Sequence, residues 1–96
     1  MKMIFIAYNM AIDEEVMESL EEVGTGTYTK WTRVHGKGKT SGPHLDSNVW
    51  PGVNNVLAIV VEDEKVSEIL LKVQELRKSL GKEGIKAFVL PLEEVT

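Results

Sequence analysis

The sequence predicts an α+β fold in which four strands and two helices follow one another in the order βαββαβ. Short runs of strand-forming residues occur at four places, and two other segments repeat apolar residues at helical spacing. A chain of 96 residues has room for a single core with little surplus stability. These observations favour one small domain, and each element follows from local sequence.

The first half of the chain predicts a strand, a helix and a second strand. Residues 3–8 are rich in strand-forming residues and too few for a helix. Beyond them, acidic residues fill the first turn of a helical pattern, and Gly24 is placed to end the helix. Residues 25–34 are rich in Thr, Tyr and Trp, which suits a half-exposed strand. The apolar positions of the helix are Ile12, Val16, Met17, Leu20 and Val23.

The second half predicts a strand, a helix and a last strand. Residues 55–61 are apolar enough for a strand buried on both faces. Residues 63–80 form an amphipathic helix that Gly81 is placed to stop. Residues 85–92 predict the last strand, with Pro91 near its end. The apolar face of the helix comprises Val66, Ile69, Leu70, Val73, Leu76 and Leu80.

This element order is the split βαβ pattern of the ferredoxin-like fold. It predicts a four-stranded antiparallel sheet with both helices on one face. We expect a single domain over residues 1–96, because no repeat or linker divides the sequence. The other face of the sheet lacks cover, and in so small a chain oligomerisation is the simplest way to bury it.

Composition disfavours several classes of function. The net charge of −4 argues against nucleic-acid binding, and the lack of cysteine removes disulfides and thiolate chemistry. An RNA-recognition domain shares the element order, but residues 55–61 lack its stacking aromatics. No apolar run reaches the roughly 18 to 20 residues of a membrane span, and the amino terminus lacks signal-peptide features. We therefore expect a cytoplasmic protein that contacts membranes only through a partner.

Charge divides the chain into an acidic and a basic segment. Acidic residues crowd positions 13–22, where they predict a solvated helix surface. Positions 31–44 instead carry Arg33, Lys37 and Lys39 and contain no acid. The middle of the molecule is therefore the part that attracts anions.

The basic segment enters a long loop, which we place at about residues 35–54. Antiparallel neighbours need only about two to five connecting residues, and longer loops in compact domains are usually functional. Gly36 and Gly38 let the backbone approach a ligand, while Lys37 and Lys39 supply charge for a phosphate or carboxylate. The glycine spacing of the nucleotide-triphosphatase phosphate loop is missing, which disfavours ATP hydrolysis.

A second Gly- and Lys-rich turn precedes the last strand. It contains Gly81, Lys82, Gly84 and Lys86. Two such segments, each beside a strand end, predict joint binding of an anion. No Ser or His is placed beside a base oriented by a third group, so we expect no enzymatic activity.

A metal site is the alternative use of the loop. His35, His44 and Asp46 offer nitrogen and oxygen ligands that suit zinc, copper or nickel. Loop spacing imposes no ligand geometry, so surface histidines remain the other interpretation. For Trp31 and Trp50, packing is the favoured role, with Trp31 at a subunit contact.

Two stretches of the sequence resemble the P-II nitrogen-regulatory family. In that family a helix ending in E-x-x-G leads into a strand that finishes in V-x-G-x-G-R/K. The stretches at positions 21–24 and 34–39 are similar to these two motifs. The turn that begins Gly81-Lys82 resembles the Gly-Lys-rich turn before the family's last strand. The resemblance spans nearly the whole chain.

The resemblance implies a homotrimer that binds adenine nucleotides in clefts between subunits, and loop 35–54 would dock onto a target protein. The residues it assigns to the ligand are Gly36, Gly38, Lys39, Gly81, Lys82 and Lys86, and the charge of the basic segment adds Lys37. Thr40 stands where the family has a Gln that helps to hold magnesium and 2-oxoglutarate, which argues against 2-oxoglutarate sensing. The chain therefore resembles a divergent, short-loop branch.

Two related architectures stay open. CutA-like trimers of the same superfamily bind divalent cations, which would use His35, His44 and Asp46. An amino-acid-binding ACT-like module shares the element order, and only the signature at positions 36–39 argues against it.

Overall fold

The computed structural model describes residues 1–36, 53–80 and 84–96. The described elements occur in the predicted βαββαβ order. They are β1 (Lys2–Asn9), a 3-10 turn (Met10–Ile12), α1 (Asp13–Val23), β2 (Thr29–His35), β3 (Val53–Val61), a 3-10 turn (Asp63–Lys65), α2 (Val66–Leu80) and β4 (Ile85–Pro91).

The four strands form one antiparallel sheet in the order β2-β3-β1-β4. At its centre Ile6 of β1 lies between Leu57 of β3 and Ala87 of β4. Because alternate residues of a strand share a face, the register places Ile4, Ile6 and Tyr8 on one side of the sheet. That side packs against both helices, which confirms the predicted α+β ferredoxin-like fold.

The core lies between this face and the helices. The sheet residues share it with Val16 and Leu20 of α1 and with Ile69 and Val73 of α2, all of them buried. The remaining apolar residues that were predicted for α2 are partly exposed. Burial of these aliphatic side chains is the dominant favourable term in folding.

Gly24 ends α1 as predicted. Its φ is +85°, a left-handed conformation that glycine adopts without steric cost, and its N–H donates to the last carbonyls of the helix. The next residue, Thr25, donates from its hydroxyl to the Leu20 carbonyl at 3.0 Å. Thr25 therefore belongs to the helix cap, and β2 begins at Thr29, four residues later than the sequence predicts.

The expectation that β3 is buried on both faces is only partly right. Leu57, Ile59 and Val61 are buried in the core, whereas Val60 on the opposite face is exposed. The strand also begins at Val53 rather than at position 55. Val56 on the opposite face is buried as well, so the burial follows the alternation of a one-sided sheet only from Leu57 onward.

The second sheet face, called the open face below, carries a row of aromatic rings. Phe5 lies between Trp31 and Phe88, with ring centroids 6.4 Å away in both cases. Trp31 is 47% exposed and Phe88 is 51% exposed. In the described part of the chain no helix covers this face, as the element order predicts.

None of the helices in residues 1–36, 53–80 and 84–96 combines the length and apolar character needed to cross a membrane.

Candidate functional site

The predicted ligand-binding segments leave the sheet at one end, called the loop end below. Because the sheet is antiparallel, β1 and β2 finish there while β3 and β4 begin. The Asn9 N–H donates to the Gly84 carbonyl at 2.9 Å, which ties the start of β4 to the end of β1. Since neighbouring strands lie about 4.8 Å apart, the end of β2 and the start of β4 are about 14 Å apart across β3 and β1. The fold thus brings both Gly- and Lys-rich segments to one end of the sheet, on its two outer strands.

Three of the predicted site residues lie in the described part of the chain, all exposed at the loop end. His35 is the last residue of β2 and pairs with Val53. Gly36 follows it, and Lys86 pairs with Ala7 near the start of β4. The predicted residues outside the described part are Lys37, Gly38, Lys39, His44, Asp46, Gly81 and Lys82.

Gly36 lies close to the side chain of Asn54 and does not have a positive φ. A Cβ at this position would lie 3.0 Å from Nδ2 of Asn54, which is tighter than ordinary van der Waals contact. Because Nδ2 is the end of a flexible side chain, a larger residue at position 36 would require the Asn54 amide to shift by a few tenths of an ångström. The first glycine of the signature therefore leaves room for the Asn54 side chain of the neighbouring strand.

The metal prediction cannot be placed on the described residues. Residues 1–36, 53–80 and 84–96 contain no group of three His, Asp or Glu side chains that could hold an ion. His35 is the described member of the predicted set, and its two partners lie outside the described ranges. The metal site stays a prediction.

A polar cluster that sequence reasoning missed lies beneath the loop end. It consists of Tyr8, Asp13, Lys30 and Asn55 and is called the Asp13 cluster below. The Tyr8 hydroxyl donates to Oδ1 of Asp13 at 2.5 Å, and Nδ2 of Asn55 donates to the same oxygen at 3.1 Å. Nζ of Lys30 lies 2.7 Å from Oδ1 and 2.9 Å from Oδ2. The first residue of α1 thereby joins β1, β2 and β3.

The Asp13 cluster corrects the expectation that every acid of α1 belongs to a solvated surface. Asp13 is partly buried, whereas its neighbours Glu14 and Glu15 are exposed as expected. One signal was available in the sequence. Tyr8 continues the alternation of Ile4 and Ile6 on the core face, and a buried phenol needs a hydrogen-bond partner.

Within the Asp13 cluster, the Tyr8 phenol stays protonated and the Asp13 carboxyl stays ionised over a wider pH range than the free groups do. Burial, together with the hydrogen bond to Asp13, raises the pKa of the Tyr8 phenol, which therefore remains a donor. Burial alone would raise the pKa of Asp13. The hydrogen bonds from Lys30, Tyr8 and Asn55 outweigh burial, and the pKa of Asp13 lies below its ordinary value.

This depressed pKa predicts a specific pH dependence of stability. A carboxyl group with a lower pKa in the folded than in the unfolded state stabilises the fold above the unfolded pKa. That contribution is lost as the pH falls through the folded pKa. We expect the melting temperature of Asp13→Asn to fall less steeply than that of the parent below about pH 4, since model carboxyls titrate near there.

Melting curves across the acid range up to neutral pH measure this difference. Glu14→Gln is the matched control, because Glu14 is an exposed acid in the same helical turn. The melting temperature of Glu14→Gln should fall at acid pH as steeply as that of the parent. An Asp13→Asn curve parallel to the parent curve would contradict the role assigned to the carboxylate.

A groove of about 540 Å³ lies along α1 and the segment that follows it. Its lining includes Asp13, Glu14, Glu18 and Glu21. Carboxylates repel a phosphate group. The groove is therefore unsuited to an anionic ligand, and the loop end is the better candidate site.

Comparison with known proteins agrees with the fold and the motifs. The model of the family "Nitrogen regulatory protein P-II" matches residues 1–96. A similar solved structure is CPII, a nitrogen regulatory PII-like protein from Thiomonas intermedia K12, bound to ADP, AMP and bicarbonate. It has 17% identity and a TM-score of 0.69, and the alignment covers 99% of this chain and 94% of CPII.

Two further structures have the same fold. The apo form of CPII has a TM-score of 0.67 at 17% identity, with 93% of this chain and 87% of that chain covered. A PII-like signalling protein from Thermus thermophilus has a TM-score of 0.65 at 23% identity, with 92% and 81% covered. No curated protein matches the sequence. The match over residues 1–96 shows that the chain belongs to the nitrogen regulatory protein P-II family.

Proposed function

We propose that this protein is a non-enzymatic, ligand-responsive regulator that binds an adenine nucleotide at the loop end. The observation that carries the proposal is the shared origin of the two Gly- and Lys-rich segments. Both lie at the same end of the sheet, and the chain belongs to a family of regulatory proteins. The ligand-induced change would pass through loop 35–54 to a target protein.

The chemistry of the two segments supports an anionic ligand. Gly36 is exposed at the end of β2, and Lys86 is exposed beside the second segment. In these two segments the sequence supplies Lys37, Lys39 and Lys82. Lysine ammonium groups and glycine-rich backbone suit phosphate oxygens. CPII, which has the same fold, binds ADP, AMP and bicarbonate, and this supports the same ligand classes here.

The open face supports assembly into a homotrimer. Phe88 and Trp31 are each about half exposed in the single chain, and Leu90 adds to the same surface. Such a contiguous apolar patch on a small protein marks an interaction site. Packing open faces of three copies together would bury it and would create the clefts between subunits that the proposed ligand site needs.

A thermal-shift comparison of ligands tests the proposal. A ligand that binds only the folded protein stabilises it by about 2.7 kcal/mol at a hundred times its Kd. We expect ADP or AMP to raise the melting temperature in a concentration-dependent way, with bicarbonate as the small-anion comparison. A shift with zinc, copper or nickel and none with nucleotides would contradict the proposal and favour the CutA-like alternative.

A further inference from the structure

We propose that Asn55 is a positioning residue that fixes the strand register at the stem of the central loop. It would thereby determine which face of the stem His35 and Gly36 occupy. The second part of this inference rests on the proposed function, because it assumes that the loop contributes to the ligand site. The first part concerns strand pairing alone.

The pairing of β2 with β3 shifts by one residue just before the loop. Trp31 pairs with Val56, whereas Val34 pairs with Asn54. Two residues of β2, at positions 32 and 33, therefore lie opposite Asn55, which is the arrangement of a β-bulge. Side chains alternate along a strand, so a shift of one residue reverses the face of everything that follows. Without the bulge Val34 would pair with Val53, and His35 and Gly36 would change sides.

The bulge depends on an unfavourable backbone conformation. Arg33 has a φ of +56°, and it is the one non-glycine residue with positive φ among the described residues. Left-handed conformations are costly for residues with a Cβ and persist only where the surroundings hold them. The bulged register therefore needs a specific interaction at this position.

Asn55 supplies that interaction. Its Oδ1 accepts a hydrogen bond from the Arg33 backbone N–H at 3.2 Å. Asn55 is only 3% exposed, so water has little access to replace the amide oxygen. Losing this bond would leave the Arg33 N–H without its partner and would favour the strand pairing without the bulge.

The Asp13 cluster fixes the orientation of the Asn55 amide. The ionised Asp13 carboxylate can only accept hydrogen bonds, so the Asn55 nitrogen must face it. The distance from Nδ2 to Oδ1 of Asp13 is 3.1 Å. The amide oxygen is then directed at the Arg33 N–H. The chain of contacts runs from the start of α1 through Asn55 to the bulge beside the loop.

Cross-strand nuclear Overhauser effects measure the register without any ligand. Two variants should lose the contact between Val34 and Asn54 and gain one between Val34 and Val53. Asn55→Ala removes the amide oxygen. Arg33→Val places a β-branched residue where φ must be positive, and since Arg33 is exposed, this variant leaves the core filled.

Arg33→Asn is the matched control, because Asn tolerates the left-handed conformation and also lacks the guanidinium group. It should keep the parental pairing. In addition, Arg33→Gly introduced into Asn55→Ala should restore the bulge, since glycine removes the strain. Parental pairing in Asn55→Ala would overturn the inference, whatever the pairing in Arg33→Val.

ADP titrations of the same variants test the second part. Relative to Arg33→Asn, we expect Arg33→Val to bind ADP at least tenfold more weakly. Equal affinities despite different registers would overturn the link between register and ligand site. A parent protein that does not bind ADP would contradict the proposed function, while the pairing contacts would still decide the role of Asn55.

Discussion

The double substitution of Lys39 and Lys82 by Ala is expected to weaken ADP binding by at least about 100-fold. A hydrogen bond to a charged group contributes about 1.5–3 kcal/mol, and each 1.4 kcal/mol changes affinity about tenfold. Loss of two such contacts to phosphate oxygens therefore gives at least the stated change. Titration calorimetry of the parent and of each single variant measures the effect and shows whether the two lysines act on the same ligand.

Lys2→Ala is the control for this prediction. Lys2 begins β1 at the end of the sheet opposite the loop end, where its Nζ lies 3.6 Å from Oδ2 of Asp63. Exposed ion pairs contribute little to stability, so this variant should fold and bind ADP as the parent does. If the double variant bound ADP as tightly as Lys2→Ala, the two lysines would have no role in holding phosphate.

The substitution Phe88→Glu is expected to dissociate the proposed homotrimer into monomers. Phe88 lies in the row of rings on the open face, 6.4 Å from Phe5 between ring centroids. Burying a carboxylate in an apolar contact without a cationic partner is strongly unfavourable. Sedimentation velocity at several protein concentrations measures the change in mass, and circular dichroism checks that the monomer keeps its secondary structure.

Leu71→Glu is the matched control for the open face. Leu71 lies on α2, on the helix-covered side of the sheet, and is 54% exposed, close to the exposure of Phe88. The same charge placed there should leave the assembly intact. Dissociation by Leu71→Glu but not by Phe88→Glu would place the subunit contact on the helices instead of the open face.

Local patterns in the sequence were sufficient to predict the element order. The helical repeat up to Val23 and the following Gly24 located α1 because both signals act within a few residues. The start of β2 was predicted too early. Threonine is typical of strands, but the hydroxyl and the amide of Thr25 both donate to the Leu20 carbonyl at the end of α1. Composition does not distinguish a capping threonine from a strand threonine.

The Asp13 cluster could not be predicted from pattern alone. Asp13 and Asn55 are 42 positions apart, and their contact depends on the pairing of β1 with β3. In the sequence Asp13 is one of several acids in the same helix. The bulge was also hidden, because Arg33 adopts a conformation that normally signals glycine. Long-range pairing and local strain are properties of the folded chain.

The candidate site, too, could be predicted from the sequence only in part. The Gly36 signature was visible in the sequence, whereas the contact of Gly36 with the Asn54 side chain became visible only in the fold. The phosphate contacts assigned to Lys39 and Lys82 remain predictions, since these residues lie outside the described ranges. What the fold adds is that both segments lie at the same end of the sheet.

Native mass spectrometry with ADP tests the central claim most directly, because it reports assembly and ligand stoichiometry together. The account predicts a complex of three chains, each of 10.7 kDa, that gains up to three ADP molecules as the nucleotide concentration rises. A monomer, or a trimer that gains no nucleotide while a known ADP-binding protein does so under the same conditions, would contradict the account.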